Sequence, residues 1–150
     1  MSAEEPTALA HRFHTDIFQG GDLAAADELC APDFAWHTPG VPQGAAGVKQ
    51  MATLYRTAFP DLRLTHEDTV AAGDKVVIRW TVVGTHQGDF QGIPPSGRRI
   101  SITGIDIFRV AGGKLTELWS NVDQLGMLQQ IGAIPAQVQT TPYQAPSQRT

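Results

Sequence analysis

The sequence predicts an α+β fold in which a curved antiparallel sheet wraps against helices near the amino terminus, giving a cone-shaped barrel with one interior pocket. Helical patterns dominate the first 60 residues, and four β-rich runs follow between residues 62 and 123. The links at residues 71–74 and 111–114 are short, which favours antiparallel pairing of the runs that they join. The inward face of the last runs is apolar except for one carboxylate, Asp106.

Length and composition indicate one domain with a large interior. The chain has 150 residues, of which 41% are apolar and 17% charged, and a chain of this length buries about 70% of its unfolded surface. We expect a single domain over residues 1–135 and a flexible polar tail over residues 136–150, which are rich in Gln, Thr and Pro. Neither internal repeats nor a second domain are expected.

Charge and cysteine content exclude several classes of partner. The net charge is -4 and the basic residues are scattered, so we expect no nucleic-acid or membrane partner. Cys30 is the single cysteine, which excludes an internal disulfide, and its apolar neighbours indicate a small buried residue. Neither a signal-peptide pattern nor a long apolar run is present, so we expect a cytoplasmic location.

Three helices are predicted before the main sheet. The first begins at Pro6 and ends at Gly20, and it carries an apolar stripe with a period of four residues, formed by Leu9, Phe13 and Ile17. A short second helix covers residues 23–29, with Asp22 as its N-cap and Pro32 stopping it. The third covers residues 45–59 and has the strongest apolar face, made of Val48, Met51, Ala52, Tyr55, Ala58 and Phe59.

Five β-rich stretches are predicted from period-two alternation, at residues 33–38, 62–70, 75–86, 99–110 and 115–123. Residues 87–98 contain three glycines and two adjacent prolines and are interpreted as a long loop. A short helix near residues 125–131 closes the domain.

The last two stretches form a hairpin around Gly112-Gly113, and its register decides which residue faces Asp106. A two-residue turn would place Asp106 opposite Trp119, whereas a three-residue turn would place it opposite Leu118 and diagonal to Ser120. We favour the second. It puts Leu118 and Ser120 on the face of Asp106, and Glu117 on the other face with Arg109 and Asn121.

A carboxylate in this apolar row is costly unless it is paired or protonated, which makes Asp106 the first functional candidate. The alternative is that Asp106 is solvated or bonded to a nearby backbone group. Ser120 and His37 complete the candidate catalytic set, although His37 alternatively caps the turn that follows it. Aromatic and apolar residues are expected to wall a pocket for a hydrophobic small molecule: Trp36, Tyr55, Phe59, Trp80, Phe108, Leu118 and Trp119.

Motifs for other chemistries are missing from the sequence. The five histidines form no HExxH pattern, and His11 and His14 lie at the edge of the first helix, so no metal is expected. The glycines at residues 44 and 47 lack the Lys-Ser/Thr of a nucleotide loop, and no GxSxG elbow is present. We therefore expect chemistry that needs no cofactor.

Several motifs together resemble those of the SnoaL-like polyketide cyclases, within the nuclear-transport-factor-two-like superfamily. They span about residues 8 to 135 and comprise Ala58-Phe59-Pro60-Asp61-Leu62, Gly84-Thr85-His86, Gly92 to Arg99, Gly104-Ile105-Asp106-Ile107-Phe108-Arg109, Gly113-Lys114 and Leu125 to Gly132. The resemblance implies a cone-shaped α+β barrel, cofactor-free acid/base chemistry and, often, a homodimer.

The resemblance also implies a site on the last strand. In the cyclases an aspartate directly after a Trp is the acid/base of an intramolecular aldol closure, and the matching residue here is Ser120. Leu118 replaces a histidine often found before that Trp. Because a serine hydroxyl is not a general base near pH 7 without help, we predict Asp106 as the base, with Ser120 or His37 orienting the substrate. Asp123 is a weaker candidate.

The resulting hypothesis is a cofactor-independent polyketide or ester cyclase or isomerase. One alternative is epoxide opening by an Asp106–Arg79 pair, which requires Arg79 to face inward. Another is a non-catalytic binding module for a hydrophobic small molecule.

The outward row with Ile105 and Ile107, continued by Val77 and Val83, is too apolar for a solvated face, which predicts a homodimer through the convex side of the sheet.

Overall fold

A computed structural model describes residues 4–135 and has the predicted α+β architecture. The helices are α1 (Glu4–Arg12), α2 (Ala24–Leu29), α3 (Gly44–Ala58) and α4 (Gln124–Gln130), and a π-helical segment, Phe13–Gln19, continues α1. The strands are β1 (Cys30–Trp36), β2 (Arg63–Ala72), β3 (Lys75–Thr85), β4 (Arg99–Ala111) and β5 (Lys114–Val122). The predicted tail, residues 136–150, lies outside the described residues.

The five strands form one curved, unclosed sheet in the order β1-β5-β4-β3-β2. Strands β2 to β5 are an antiparallel meander in which short turns join β2 to β3 and β4 to β5, and β1 lies parallel to β5 at one edge. Helix α1 and the π-helical segment pack against β2 at the other edge, while α3 packs against β1. The helices thus cover the concave face of the sheet.

Burial alternates along the central strands as the period-two pattern predicts. Every second residue of β4 from Ile100 to Val110 is buried, and so is every second residue of β3 from Val76 to Val82. Asp106 is therefore an inward-facing residue that is only 4% exposed. The largest fully buried side chains of the core include Phe13, Phe34, Phe59, Phe90 and Phe108.

The boundary between α2 and β1 differs from the prediction. Pro32 does not stop a helix but lies inside β1, where the chain has been extended since Cys30. Strand β1 is at the sheet edge, where a residue without an N–H is tolerated. Asp22 is not the N-cap of α2, because Leu23 holds that position without a side-chain bond. Cys30 is buried as predicted, and burial raises the pKa of its thiol to about 12.

Neither register considered for the β4–β5 hairpin is correct. Ala111 pairs with Lys114 across a two-residue turn of Gly112 and Gly113, both with positive φ, and a bulge then inserts Thr116 into β5. The extra residue shifts the pairing by one, so Asp106 lies directly opposite Ser120. The predicted faces are nevertheless correct, because the bulge returns Ser120 to the inward side.

Candidate functional site

A cavity of about 110 Å³ lies between the concave face of the sheet and the helices. Its walls are mostly apolar, and its polar side chains include His14, Asp106 and Ser120. Among the predicted wall residues, Trp36, Tyr55, Phe59 and Trp80 line it. Gln124 is the exposed residue of this lining and marks the mouth of the cavity.

Asp106 and His14 form a buried pair at the wall of this cavity. Nε2 of His14 lies 2.7 Å from Oδ2 of Asp106, and each residue is 4% exposed. His14 comes from the π-helical segment, a local widening of the helix that is frequent at functional sites. The pair lowers the cost of placing Asp106 in an apolar row, because His14 provides a hydrogen-bond partner for Oδ2 of the carboxyl group.

The second nitrogen of His14 is also engaged. Nδ1 of His14 lies 3.0 Å from Nε2 of His66 on β2, and the ring of His66 stacks on that of His11 at a centroid distance of 4.3 Å. Burial, the neighbouring His14 and His11 together lower the pKa of His66 to about 4. His66 is therefore a neutral imidazole at neutral pH.

Five buried polar atoms of cavity-lining residues have no hydrogen-bond partner within residues 4–135. They are Trp36 Nε1, Thr38 Oγ1, Trp80 Nε1, Asp106 Oδ1 and Ser120 Oγ. Four of them belong to groups that can donate a hydrogen bond, and Asp106 Oδ1 is an acceptor while the carboxyl group is ionised. Within the described chain no Lys or Arg lines the cavity. This arrangement suits a neutral ligand with several carbonyl or hydroxyl oxygens.

Tyr55 adds a further donor at the wall. Burial raises the pKa of its phenol, so the hydroxyl keeps its proton. The amide of Gln124, near the mouth, donates to the Tyr55 oxygen at 3.3 Å. The hydroxyl proton of Tyr55 is then free to point towards a ligand.

Gly104 lets Trp80 lie beside the carboxylate. The two residues pair across β3 and β4, and a Cβ atom on Gly104 would come within 2.1 Å of Cζ2 of the Trp80 indole. Gly104 is two residues before Asp106 and shares its inward face. The indole therefore occupies the space that a side chain at residue 104 would need, and its ring centroid lies 6.4 Å from that of His14.

Four predicted site residues lie elsewhere. His37 and Trp119 are on the outer side of the sheet, where their rings stack at 4.9 Å and His37 bonds to Glu117 at 2.8 Å. Phe108 and Leu118 face inward but are fully buried in the core and do not line the cavity. The structure thus brings Asp106 and Ser120 together and leaves His37 apart from them.

Two other candidates considered from the sequence also point away. Arg79 is exposed and pairs with Asp68 at 2.7 Å, so the Asp106–Arg79 pair required for epoxide opening does not form. Asp123 is exposed and caps α4 by accepting a hydrogen bond from the Gly126 amide at 2.9 Å. Neither residue lines the cavity.

His14 is the site residue that sequence reasoning missed. The predicted stripe has a period of four residues and passes through its neighbour Phe13, which places His14 at the edge of the first helix. The available signal was its spacing of four residues from both Ala10 and Phe18, which are buried with it.

The described part of the chain contains neither a metal-binding cluster nor a helix that could span a membrane. Residues 4–135 contain no cluster of three or more His, Cys, Asp or Glu side chains arranged to hold a metal ion. Within the same residues, no helix is long and apolar enough to cross a membrane.

Comparison with known proteins gives consistent matches. A family model described as SnoaL-like polyketide cyclase matches residues 8–131. TsrD from Streptomyces laurentii is 33% identical, with a TM-score of 0.82 over 89% of this chain and 99% of that chain. IdmH from Streptomyces antibioticus, described as a proposed polyketide cyclase, is 33% identical, with a TM-score of 0.74 over 85% and 98%. AclR from Streptomyces galilaeus, described as a proposed hydroxylase, is 29% identical, with a TM-score of 0.78 over 89% and 85%. No curated protein matches the sequence significantly.

Proposed function

The chain belongs to the SnoaL-like polyketide cyclase family, and we propose from its cavity that it is a cofactor-independent enzyme that cyclises or isomerises a hydrophobic carbonyl compound. The observation that carries the proposal is the Asp106 carboxylate. Its Oδ2 is held by His14, and its Oδ1 has no partner within the described chain and belongs to a cavity-lining residue. A general base held on one oxygen and free on the other is suited to proton abstraction.

The position of Asp106 explains how the proposed reaction can proceed with a serine at residue 120. The resemblance to the cyclases implies an aspartate where Ser120 stands. Asp106 is the direct cross-strand partner of Ser120, and opposite residues of an antiparallel pair point to the same side of the sheet. The carboxylate is therefore supplied to the same cavity from the neighbouring strand.

The proposed reaction begins with proton transfer from a carbon next to a carbonyl group to Oδ1 of Asp106. The resulting enolate oxygen accepts hydrogen bonds from donors such as Ser120, Trp80 and Tyr55. In a cyclisation, the enolate carbon attacks a second carbonyl carbon of the same molecule, and the new alkoxide takes the proton back from Asp106. No cofactor is consumed, because the proton returns to the product.

The size of the cavity restricts the substrate. Cavities for drug-sized ligands are usually about 300–1,000 Å³, whereas this one holds about 110 Å³. We infer that the reacting carbonyl end enters the cavity and that the rest of a larger substrate extends past Gln124 at the mouth.

The test is an Asp106→Asn variant assayed on aromatic polyketide esters. Asparagine keeps the size of the side chain but cannot accept the proton, so kcat should fall by about 100-fold or more. Asp68→Asn is the matched control, because Asp68 is an exposed carboxylate on the other side of the sheet. Far-UV circular dichroism should show that both variants are folded.

Two results would contradict the proposal. Turnover by folded Asp106→Asn at the wild-type rate would remove the carboxylate from the mechanism. Tight binding of these esters by the wild-type protein without any turnover would support a binding module instead.

A further inference from the structure

His66 links the buried pair to the outside of the sheet. It does not line the cavity, yet its Nε2 lies 3.0 Å from Nδ1 of His14, whose Nε2 in turn contacts Asp106. The three side chains form one continuous hydrogen-bonded row. The row begins at a carboxylate that is almost fully buried and ends on β2, an edge strand.

The outer end of this row is open to water. Nδ1 of His66 makes no hydrogen bond within residues 4–135, and it is not one of the fully buried unpartnered atoms. The His66 ring is held by stacking on His11, whose Nε2 lies 2.8 Å from the hydroxyl of Thr69. The orientation of His66 is thus fixed while one of its nitrogens stays accessible.

The charge state of His66 suits a proton carrier. The titratable groups that face it are His11, His14 and Asp106, and burial together with the two histidines keeps it neutral at neutral pH. A neutral imidazole has one N–H donor and one acceptor nitrogen. It can therefore donate to His14 or accept from it, depending on its tautomer.

We propose that His66 is a positioning residue that carries protons between water and Nδ1 of His14, and so sets the charge of the Asp106–His14 pair. In the inward direction, a proton from water binds Nδ1 of His66, and the Nε2 proton of His66 moves to Nδ1 of His14. His14 becomes an imidazolium whose Nε2–H still faces Asp106. The reverse sequence returns the proton to water.

This path changes the strength of the base without opening the cavity. A carboxylate next to a neutral imidazole accepts a proton more readily than one next to an imidazolium. The protonation state of the Asp106–His14 pair can therefore be restored through His66 on β2 while a substrate occupies the mouth of the cavity. Only this consequence for turnover rests on the proposed function.

The first test uses ligand-free protein with ¹⁵N-labelled histidine. His66→Gln places an amide that can donate to or accept from Nδ1 of His14 but cannot pass a proton on. Exchange of the His14 ring N–H protons with water, measured by NMR saturation transfer, should slow by about tenfold. Thr65→Val is the control, because Thr65 is an exposed neighbour on the same strand. An unchanged exchange rate in His66→Gln would overturn the proposal.

The second test is chemical rescue. His66→Ala should show the same slow exchange, and imidazole added to the buffer should restore the rate, which a purely structural role of His66 would not produce. Failure of imidazole to accelerate exchange in folded His66→Ala would equally contradict the proposal. Neither measurement needs a substrate, so absence of turnover would count against the proposed function alone. With a substrate in hand, His66→Gln should lower kcat and leave KM within about twofold.

Discussion

Gly104→Ala tests whether the packing of Trp80 over the β4 strand holds the site together. Replacing a glycine by alanine where φ is compatible usually stabilises a protein by about 0.4–1 kcal/mol, because the unfolded chain loses freedom. Gly104 is not among the glycines with positive φ. Any destabilisation by Gly104→Ala must therefore come from steric overlap.

The overlap can be read from the distances. The added Cβ would lie 2.1 Å from Cζ2, 2.6 Å from Cη2 and 2.7 Å from Cε2 of Trp80. These separations are far below the 3.5–4.0 Å at which carbon atoms attract each other, and the indole is a rigid, buried group. Overpacking of this kind costs about 1–3 kcal/mol, which corresponds to a fall in Tm of roughly 3–10 °C for a domain of this size. The indole must also leave its place beside Asp106, so turnover should fall as well.

The assay is a double-mutant cycle with Trp80→Phe, followed by urea unfolding monitored by far-UV circular dichroism. Phenylalanine lacks Cζ2 and Cη2 of the indole, so Gly104→Ala should be neutral or stabilising in the Trp80→Phe background. The expected coupling free energy is about 1–3 kcal/mol. A Gly104→Ala protein as stable as the wild type, or an equal cost in both backgrounds, would refute the reasoning.

Three other outcomes concern the carboxylate position, the outer face and acid stability. The double variant with Asp106→Ser and Ser120→Asp should turn over its substrate about tenfold faster than Asp106→Ser alone, because both positions face the cavity. A folded double variant that is no faster than Asp106→Ser would contradict this. Ile105 is 47% exposed on the outer face, so Ile105→Lys should disrupt the predicted homodimer in analytical ultracentrifugation; a wild-type monomer of 16.1 kDa would refute that interface. The pKa of His66 is lowered from 6.5 to about 4 in the folded protein, so the unfolded state binds more protons in this window and the free energy of unfolding should fall as pH drops through it. His66→Gln should weaken that dependence between about pH 6.5 and about pH 4, and an unchanged slope would exclude His66 as its source.

The inward face of the sheet could be predicted because strands have a fixed period of two. That period alone placed Asp106 in an otherwise apolar row, and it placed Trp36 and Trp80 at the cavity wall. The bulge at Thr116 could not be predicted, since nothing in the composition of residues 114–118 distinguishes a regular strand from one with an extra residue. The bulge shifts the pairing of a two-residue turn by one residue, so Ser120 rather than Trp119 lies opposite Asp106. The favoured three-residue turn predicts Leu118 at that place.

Trp119 shows a second limit of predicting the site from the sequence. Leu118 and Ser120 face inward, so period-two alternation predicts that Trp119 between them faces outward. Its large aromatic side chain nevertheless led to its prediction as a cavity wall residue. On the outer face the ring stacks on His37, and the guanidinium of Arg109 lies 5.7 Å from its centroid. Trp119, which is next to Ser120 in sequence, thus packs with an imidazole and a guanidinium on the opposite side of the sheet. Periodicity is the better guide than residue type.

His14 is absent from the predicted site because the predicted stripe takes only every fourth residue of the first helix. The segment Phe13–Gln19 is π-helical, and it buries two adjacent pairs, Phe13 with His14 and Ile17 with Phe18. A stripe that takes only every fourth residue from Leu9 contains one member of each pair, whereas the full helical pattern i, i+3, i+4, i+7, i+8 from Ala10 contains both. The sequence nevertheless implied a partner, because a carboxylate on an apolar inward face is stable only if a polar group reaches it from the element packed above. In the predicted helix, the ionisable residues next to the stripe are few, and His14 is the one with buried residues four positions away on both sides. Asp106 on β4 and His14 on the facing helix are both polar residues on apolar faces, and they are the two partners of one hydrogen bond. A carboxylate on the apolar face of a predicted strand is therefore a reason to search the facing helix for its partner.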